Sequence, residues 1–259
     1  MTRGKLVWRR DFSFNMMRKL LIATAFVALA WHPSLGFPGS ADTEMADVTG
    51  QVRLLENNSH RNAPDASQVV LWLVPQQGTP EDAALVGAAK RRYRMLQHNK
   101  TFEPKLLVVP LGSIVDFPNL DPWFHNVFSL YQGKRFDLGL YQARAEKEVV
   151  FDRPGPSFLF CNIHPQMTAV IFTVNSDFFG VSDKAGHILI HHVPGGRYSM
   201  HAWYESASPE FTDAPQRPID ITPGENVLPE LTIPAAKHDW SHKDKYGNDY
   251  DPRASAPAY

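Results

Sequence analysis

Residues 157–174 read SFLFCNIHPQMTAVIFTV. Two apolar runs, rich in aromatic and β-branched residues, flank a short stretch that turns at His164-Pro165. Runs of this length and composition, separated by a turn signal, predict two strands joined by a tight loop. Cys161, His164 and Met167 follow one another through that loop at three-residue steps. A thiol, an imidazole and a thioether are thus delivered together between the end of one strand and the start of the next.

The same rhythm extends outward on both sides. From Tyr93 the chain gives YRMLQ, KLLVVPLGSIVDF, HNVFSL and KEVVF, with Pro110, Gly112, Pro118 and Pro122 marking bends. Beyond it, Phe178 to Ile233 contains further strand candidates punctuated by Asp183–Gly186 and by Pro194-Gly195-Gly196. Ahead of it, Val48–Leu55 and Ser67–Val74 read as strands, the second nearly continuous in its apolar run and so buried. Gln76–Arg92 reads as a connector, in which Thr79-Pro80-Glu81-Asp82 resembles a helix start. The expected fold class is all-β. There is no internal repeat, no glycine-rich phosphate loop and no G-x-S-x-G elbow, and a net charge of −1 supplies no field to recruit nucleic acid.

From Met16 the chain reads MMRKLLIATAFVALAWHPS, a basic start, an apolar run and a small-x-small site at Ala28-Leu29-Ala30. That is the pattern of a secretory signal, too short to span a bilayer comfortably. Residues 1–30 are expected to be extension and signal, with Met16 or Met17 as a possible start, and 31–46 a disordered leader. Arg9-Arg10-Asp11-Phe12 offers a twin-arginine route instead. Either route predicts a periplasmic or secreted protein. In that compartment cysteines come in pairs, yet Cys161 is the chain's single cysteine. A lone thiol there must be buried, joined to another chain or held as a metal thiolate.

Soft sulfur donors combined with imidazole select copper, and two histidines, one cysteine and a weak axial methionine are the blue-copper set. The second imidazole is found upstream, as His125 in FPNLDPWFHNVFS. Singly, each residue has a plainer reading: Cys161 as a small buried hydrophobe, His164 as a turn residue, Met167 as core, His125 as a packed loop histidine. Their coincidence is what points to metal. His191, His192 and His201 lie on predicted strands, where alternation sends successive side chains to opposite faces. His238 and His242 fall in the tail; none of these makes more than an accidental surface site.

The residues 161–167, CNIHPQM, resemble the C-x-x-H-x-x-M loop of amicyanin. His125-Asn126-Val127 resembles the upstream ligand motif of that family, and FEPKLLVVPLGSIVDFPNLD resembles the strand pair that precedes it in plastocyanin-like proteins. The resemblance covers residues 92–175 and implies a cupredoxin Greek-key β-sandwich. It also implies one copper ion, cycling between Cu(I) and Cu(II), on His125, Cys161, His164 and Met167. Around the ligands it implies an Asn126 backbone N–H donated to the sulfur and an Asn126 side chain that braces the loop. Amicyanin has proline two residues after the cysteine; this chain has Ile163, whose N–H is a second candidate donor. Electron exchange is expected at the edge of His164, within an apolar rim of Pro118, Trp123, Phe124 and Pro165 that would dock a transient redox protein partner.

Several absences shape the functional expectation. Binuclear copper centres need two cysteines, and multicopper oxidases and nitrite reductases flank the ligand cysteine with histidine. Here the flanks are Phe160 and Asn162, and no His-x-His pair occurs. A one-electron carrier, not an enzyme, is the expectation; chains so arranged resemble those labelled methylamine-utilisation or plastocyanin-like proteins. A copper-binding or delivery protein without redox turnover, and a structural β-sandwich with a vestigial site, remain as alternatives.

The stretch SDKAGHILIHHVPGGRYSMHAWYE, residues 182–205, resembles the D-x-x-G-x-(apolar)…P-x-G-x-Y pattern of carboxypeptidase-regulatory or transthyretin-like sandwiches. Their opening V-x-G-x-V strand is matched by Val48–Val52. The resulting organisation has a second small β-sandwich split between 47–76 and 176–234. The cupredoxin (92–175) is inserted into it after the connector 77–91, and 235–259 is a disordered tail. Alternatively, the flanking strands extend a single cupredoxin-based domain.

Overall fold

The structure, a computed structural model, describes residues 45–56, 63, 65–76, 91–130, 132–208, 211, 217–236 and 242–250. The signal segment, the leader up to residue 44 and the helix start at 79–82 lie outside the described residues. Within them the regular elements are eighteen strands, so the expectation of an all-β chain holds. The first two are β1 (Met45–Leu55) and β2 (Val70–Pro75). The central group is β3 (Arg92–Arg94), β4 (Leu96–His98), β5 (Thr101–Glu103), β6 (Leu106–Pro110), β7 (Ser113–Pro118), β8 (His125–Ser129), β9 (Phe136–Tyr141), β10 (Glu146–Phe151), β11 (Gly155–Phe160) and β12 (Thr168–Val174). The last are β13 (Phe178–Val181), β14 (His187–Pro194), β15 (Gly196–Trp203), β16 (Arg217–Ile221), β17 (Gly224–Val227) and β18 (Leu231–Pro234).

Alternation along the strands builds two separate cores. In the central group, the sheet β6-β12-β11-β8-β9 and the sheet β10-β7-β3 enclose Met95, Phe102, Val115, Phe117, Phe151 and Ile171, among others. Around it, the sheet β14-β1-β17, with β18 also on β1, and the sheet β13-β2-β15-β16 enclose a second cluster. That cluster draws Val48, Val52 and Leu54 from one end of the chain and Ile188, Ile190 and Tyr198 from the other. The union is backbone pairing: β1 runs antiparallel to β14, with Val48 opposite Ile190 and Gly50 opposite Ile188.

The apolar run of β12 has a physical reason. A strand covered on both faces reads as continuous hydrophobic sequence instead of alternating. Ala169 and Ile171 face the core shared with Cys161. Phe172 and Val174 face the other way, into a seam with Val70, Val108, Trp72 and Trp203 that joins the two sandwich halves. Phe172 sits 5.2 Å from Trp72 and 4.6 Å from Trp203, ring centre to ring centre.

Three expectations require correction. β1 begins at Met45, so the last two leader residues are paired strand, with Ala46 buried opposite Val193. His191 and His192 do not point to opposite faces. The register against β1 shifts at this point, His192 takes a positive φ of 56°, and both rings emerge into solvent. Such a bulge inserts one residue and resets the alternation. Finally, residues 242–250, expected to be disordered, pack against the central group through hydrogen bonds set out below.

Candidate metal centre

His125 opens β8, a strand whose five residues are all buried, and lies opposite Tyr141 of β9. β11 pairs with β8 at Phe160 and Phe128, so the residue after Phe160, Cys161, arrives beside His125. The chain then turns back into β12. The turn is closed by the Met167 N–H donating to the His164 carbonyl (3.0 Å) and the Cys161 N–H donating to the Met167 carbonyl (3.3 Å).

This brings three donor atoms together out of solvent. His125 Nδ1 and His164 Nδ1 are 3.1 Å apart, and Cys161 Sγ lies 3.9 Å from the first and 3.8 Å from the second. His125 and Cys161 are fully buried, and His164 is 8% exposed. Nitrogen and sulfur ligands lie about 2.0 Å and about 2.3 Å from a bound transition-metal ion, so donor atoms this close can share one. The three donors therefore fit a single metal ion, and a thiolate with two imidazoles suits a soft or borderline one. Met167 is fully buried in the same core as Cys161.

The surroundings favour that ion over protons. Burial pushes the His164 imidazole down to about 4, with help from His125 and Lys100. Burial also lowers His125, against the opposing pull of Asp121. For the Cys161 thiol, burial dominates and raises its pKa. The backbone N–H groups of Asn126, Ile163 and His164 directed at the sulfur act the other way and stabilise a thiolate. A buried cluster of neutral imidazoles beside N–H-solvated sulfur is an uncompensated donor set, the state a cation relieves.

The far side of His125 is held as firmly. Its Nε2–H points at Asp121 Oδ2, 2.8 Å away, which leaves Nδ1 free as a donor toward the cluster. Asp121 also accepts the N–H of Asn99 (2.7 Å) and of Lys100 (2.9 Å). Those two residues form the two-residue turn between β4 and β5, and both have positive φ, 53° and 56°. A type I′ hairpin requires that backbone, and here it aims successive N–H groups at one carboxylate. Burial opposes ionisation of Asp121, but the Lys100 N–H, the His125 imidazole and the Asn99 N–H outweigh it, and the carboxyl is held below its ordinary range. The Asn119 side chain fixes the loop between, accepting the Asp121 N–H (3.0 Å) and donating to the Trp123 carbonyl (2.8 Å).

No family model and no curated protein matches the chain. Solved structures do. A copper-containing nitrite reductase from Thermus scotoductus is 24% identical over 32% of this chain and 22% of its own, with a TM-score of 0.31. The chain thus spans about a fifth of that protein's length. A purple cupredoxin from Nitrosopumilus maritimus is 22% identical over 31% of this chain and 98% of its own, TM-score 0.29. An amicyanin variant in its Cu(I) form is 16% identical over 35% of this chain and 89% of its own, TM-score 0.31.

Two expectations about the surroundings change. The Asn126 side chain does not brace the ligand loop: its Nδ2 donates to Asp137 Oδ1 (2.7 Å), on the neighbouring β9. Among the described residues its Oδ1, also buried, has no hydrogen-bond partner. Pro118 is not at the surface, because its pairing with Glu146 draws it into the sheet β10-β7. Trp123 and Pro165 are half-buried, and Phe124 is 51% exposed, close in sequence to the exposed Leu120 at 53%. Sequence reasoning missed Asp121, although it stands four residues before a candidate ligand in a quoted motif. It also missed the tail, whose histidine and tyrosine were the available signal.

Proposed function

We propose that this chain is a type 1 (blue) copper protein of the cupredoxin kind, a one-electron carrier and not an enzyme. The carrying observation is the mutual approach of His125 Nδ1, His164 Nδ1 and Cys161 Sγ to within 3.1–3.9 Å, with all three residues buried. His125, Cys161 and His164 would hold the ion, and Met167 would add a weak thioether donor. Copper, when bound, supplies a Cu(II)/Cu(I) couple.

The protein's part is to hold the donors still. β8 and the β11–β12 turn fix them in one geometry, so little rearrangement accompanies a change of charge. The N–H groups of Asn126 and Ile163 stabilise negative charge on sulfur and so tune the potential. His164, at 8% exposure, is the one donor of the three that reaches solvent, which supports it as the exchange edge. Exposed Phe124 and Leu120 offer apolar surface for a transient redox protein partner. The signal-like N-terminus supports a periplasmic or secreted location, and among the described residues no helix is long and apolar enough to cross a membrane.

Colour tests the reading. Metal-free protein given one equivalent of Cu(II) is expected to turn intensely blue, and Cys161→Ser to bind without that colour. A colourless wild-type complex would remove the electron carrier and leave a copper-binding protein.

A further inference from the structure

The segment 242–250 touches the proposed copper loop at three places. The His242 Nε2–H donates to the Pro165 carbonyl (2.9 Å), and its ring lies over Phe160 with centroids 4.2 Å apart. The Lys245 backbone N–H donates to Asn162 Oδ1 (3.0 Å). The Tyr250 hydroxyl donates to the Cys161 carbonyl (3.0 Å), and its ring meets His242 edge-on. A fourth contact reaches the other half of the site: Lys245 Nζ lies 2.8 Å from Asp137 Oδ2, and Asp137 Oδ1 accepts from Asn126, the neighbour of His125.

The segment is itself a built turn. Asp244 Oδ1 accepts the N–H of Tyr246 (2.9 Å) and of Asn248 (2.7 Å), and the Gly247 N–H returns to the Asp244 carbonyl at a φ of 84°. Polar hydrogen bonding, not an apolar stripe, shapes it, so no periodicity marks it in sequence.

We propose that residues 242–250 clasp the metal-binding loop, with His242 and Tyr250 as positioning residues that hold the peptide groups beside Cys161 and His164. The proposal rests on the reading of residues 161–167 as the copper loop. The loop's own closure is two backbone hydrogen bonds, which leaves the peptide carbonyls of Cys161 and Pro165 for outside partners. Ordering a loop costs conformational entropy at the moment of binding unless it is ordered beforehand. The clasp supplies that order, and through Asp137 it ties the loop to the strand pair carrying His125.

The test uses the full chain, first without metal. Cys161 is buried, so the rate at which its thiol reacts with an aromatic disulfide reagent reads opening of the loop. The pair His242→Ala and Tyr250→Phe is expected to react about thirtyfold faster than wild type, the factor two ordinary hydrogen bonds give. His242→Gln, which keeps an N–H for the Pro165 carbonyl, is expected to restore most of the protection, and the exposed Asp249→Ala to change nothing. In copper-loaded protein the same pair is expected to release copper to a chelator faster while the blue band persists, because the ligands are intact. Equal thiol rates in the pair and wild type overturn the clasp. A wild-type chain that never turns blue overturns the copper function instead, and the metal-free rates still read the clasp.

Discussion

His125 Nε2 and Asp121 Oδ2 stand 2.8 Å apart, with both side chains closed off from solvent. The carboxylate sets the imidazole tautomer and makes the opposite nitrogen a stronger donor. Asp121→Asn keeps the shape but removes the charge. Copper(II) affinity should fall about 10- to 100-fold, the usual cost of losing such a partner. The reduction potential should rise, because the lost negative charge favoured Cu(II) over Cu(I). Chelator competition and voltammetry check both, and an unchanged or lower potential removes Asp121 from the site's electrostatics.

Ile163 packs its side chain against the core around Cys161, but it reaches the sulfur through its backbone. Its N–H is directed at the Cys161 sulfur, and a proline there has no N–H to give. Loss of one donor makes the thiolate richer in charge and favours Cu(II). Ile163→Pro should lower the potential by about 40 mV, taking one hydrogen bond as about 1 kcal/mol for one electron. Ile163→Ala keeps the N–H and should leave the potential near wild type. If the two variants shift together, the side chain and not the hydrogen bond is responsible.

The residues legible from sequence were those whose signal is local. Cys161, His164 and Met167 announce themselves by spacing inside one turn, and β12 by a run of apolar residues covered on both faces. What escaped depends on distant chain. Asp121 gains its role from an Asn99-Lys100 hairpin whose N–H groups converge on it, and nothing in the sequence around Asp121 encodes that convergence. The tail escaped because its order comes from single hydrogen bonds to Cys161, Asn162 and Pro165, each more than seventy residues away. The outward turn of His191 and His192 together reflects a bulge, which period-two reasoning cannot foresee.

Glu205 sits in the turn just beyond β15, with Oε1 buried and, among the described residues, without a hydrogen-bond partner. Burial raises its carboxyl from an ordinary 4.5 to about 7. Between those values the folded chain holds more of the proton than the unfolded chain. Stability from this group is therefore complete below pH 4.5 and is lost as pH rises through 7. The full gap corresponds to roughly 3 kcal/mol at about 1.4 kcal/mol per pH unit, and partial solvent access reduces it to about 1–2 kcal/mol. Glu205→Gln, neutral throughout, should match wild type at pH 4.5 and exceed it by that amount at pH 8. Urea unfolding of metal-free protein at the two pH values decides it, and parallel losses in both chains would exclude Glu205 as the cause.

Phe172 separates the role of the seam from that of the metal site. It is 3% exposed and lies between Trp72 and Trp203, whereas its neighbour Ile171 faces the core that contains Cys161. Alternation along β12 thus places the two side chains on opposite jobs one residue apart. Phe172→Ala should cost about 3–5 kcal/mol, the range for truncating a buried phenylalanine, by opening the contact between the two sandwich halves. The geometry at Cys161 should survive, because backbone pairing of β12 with β11 and β6 does not involve the ring. Urea unfolding should therefore show a large loss while the absorption of the copper-loaded variant stays at the wild-type wavelength. A stability loss below about 1 kcal/mol, or a shifted band, would mean that the seam is not an independent source of stability. The central strand would then have to be treated as one unit with the metal site.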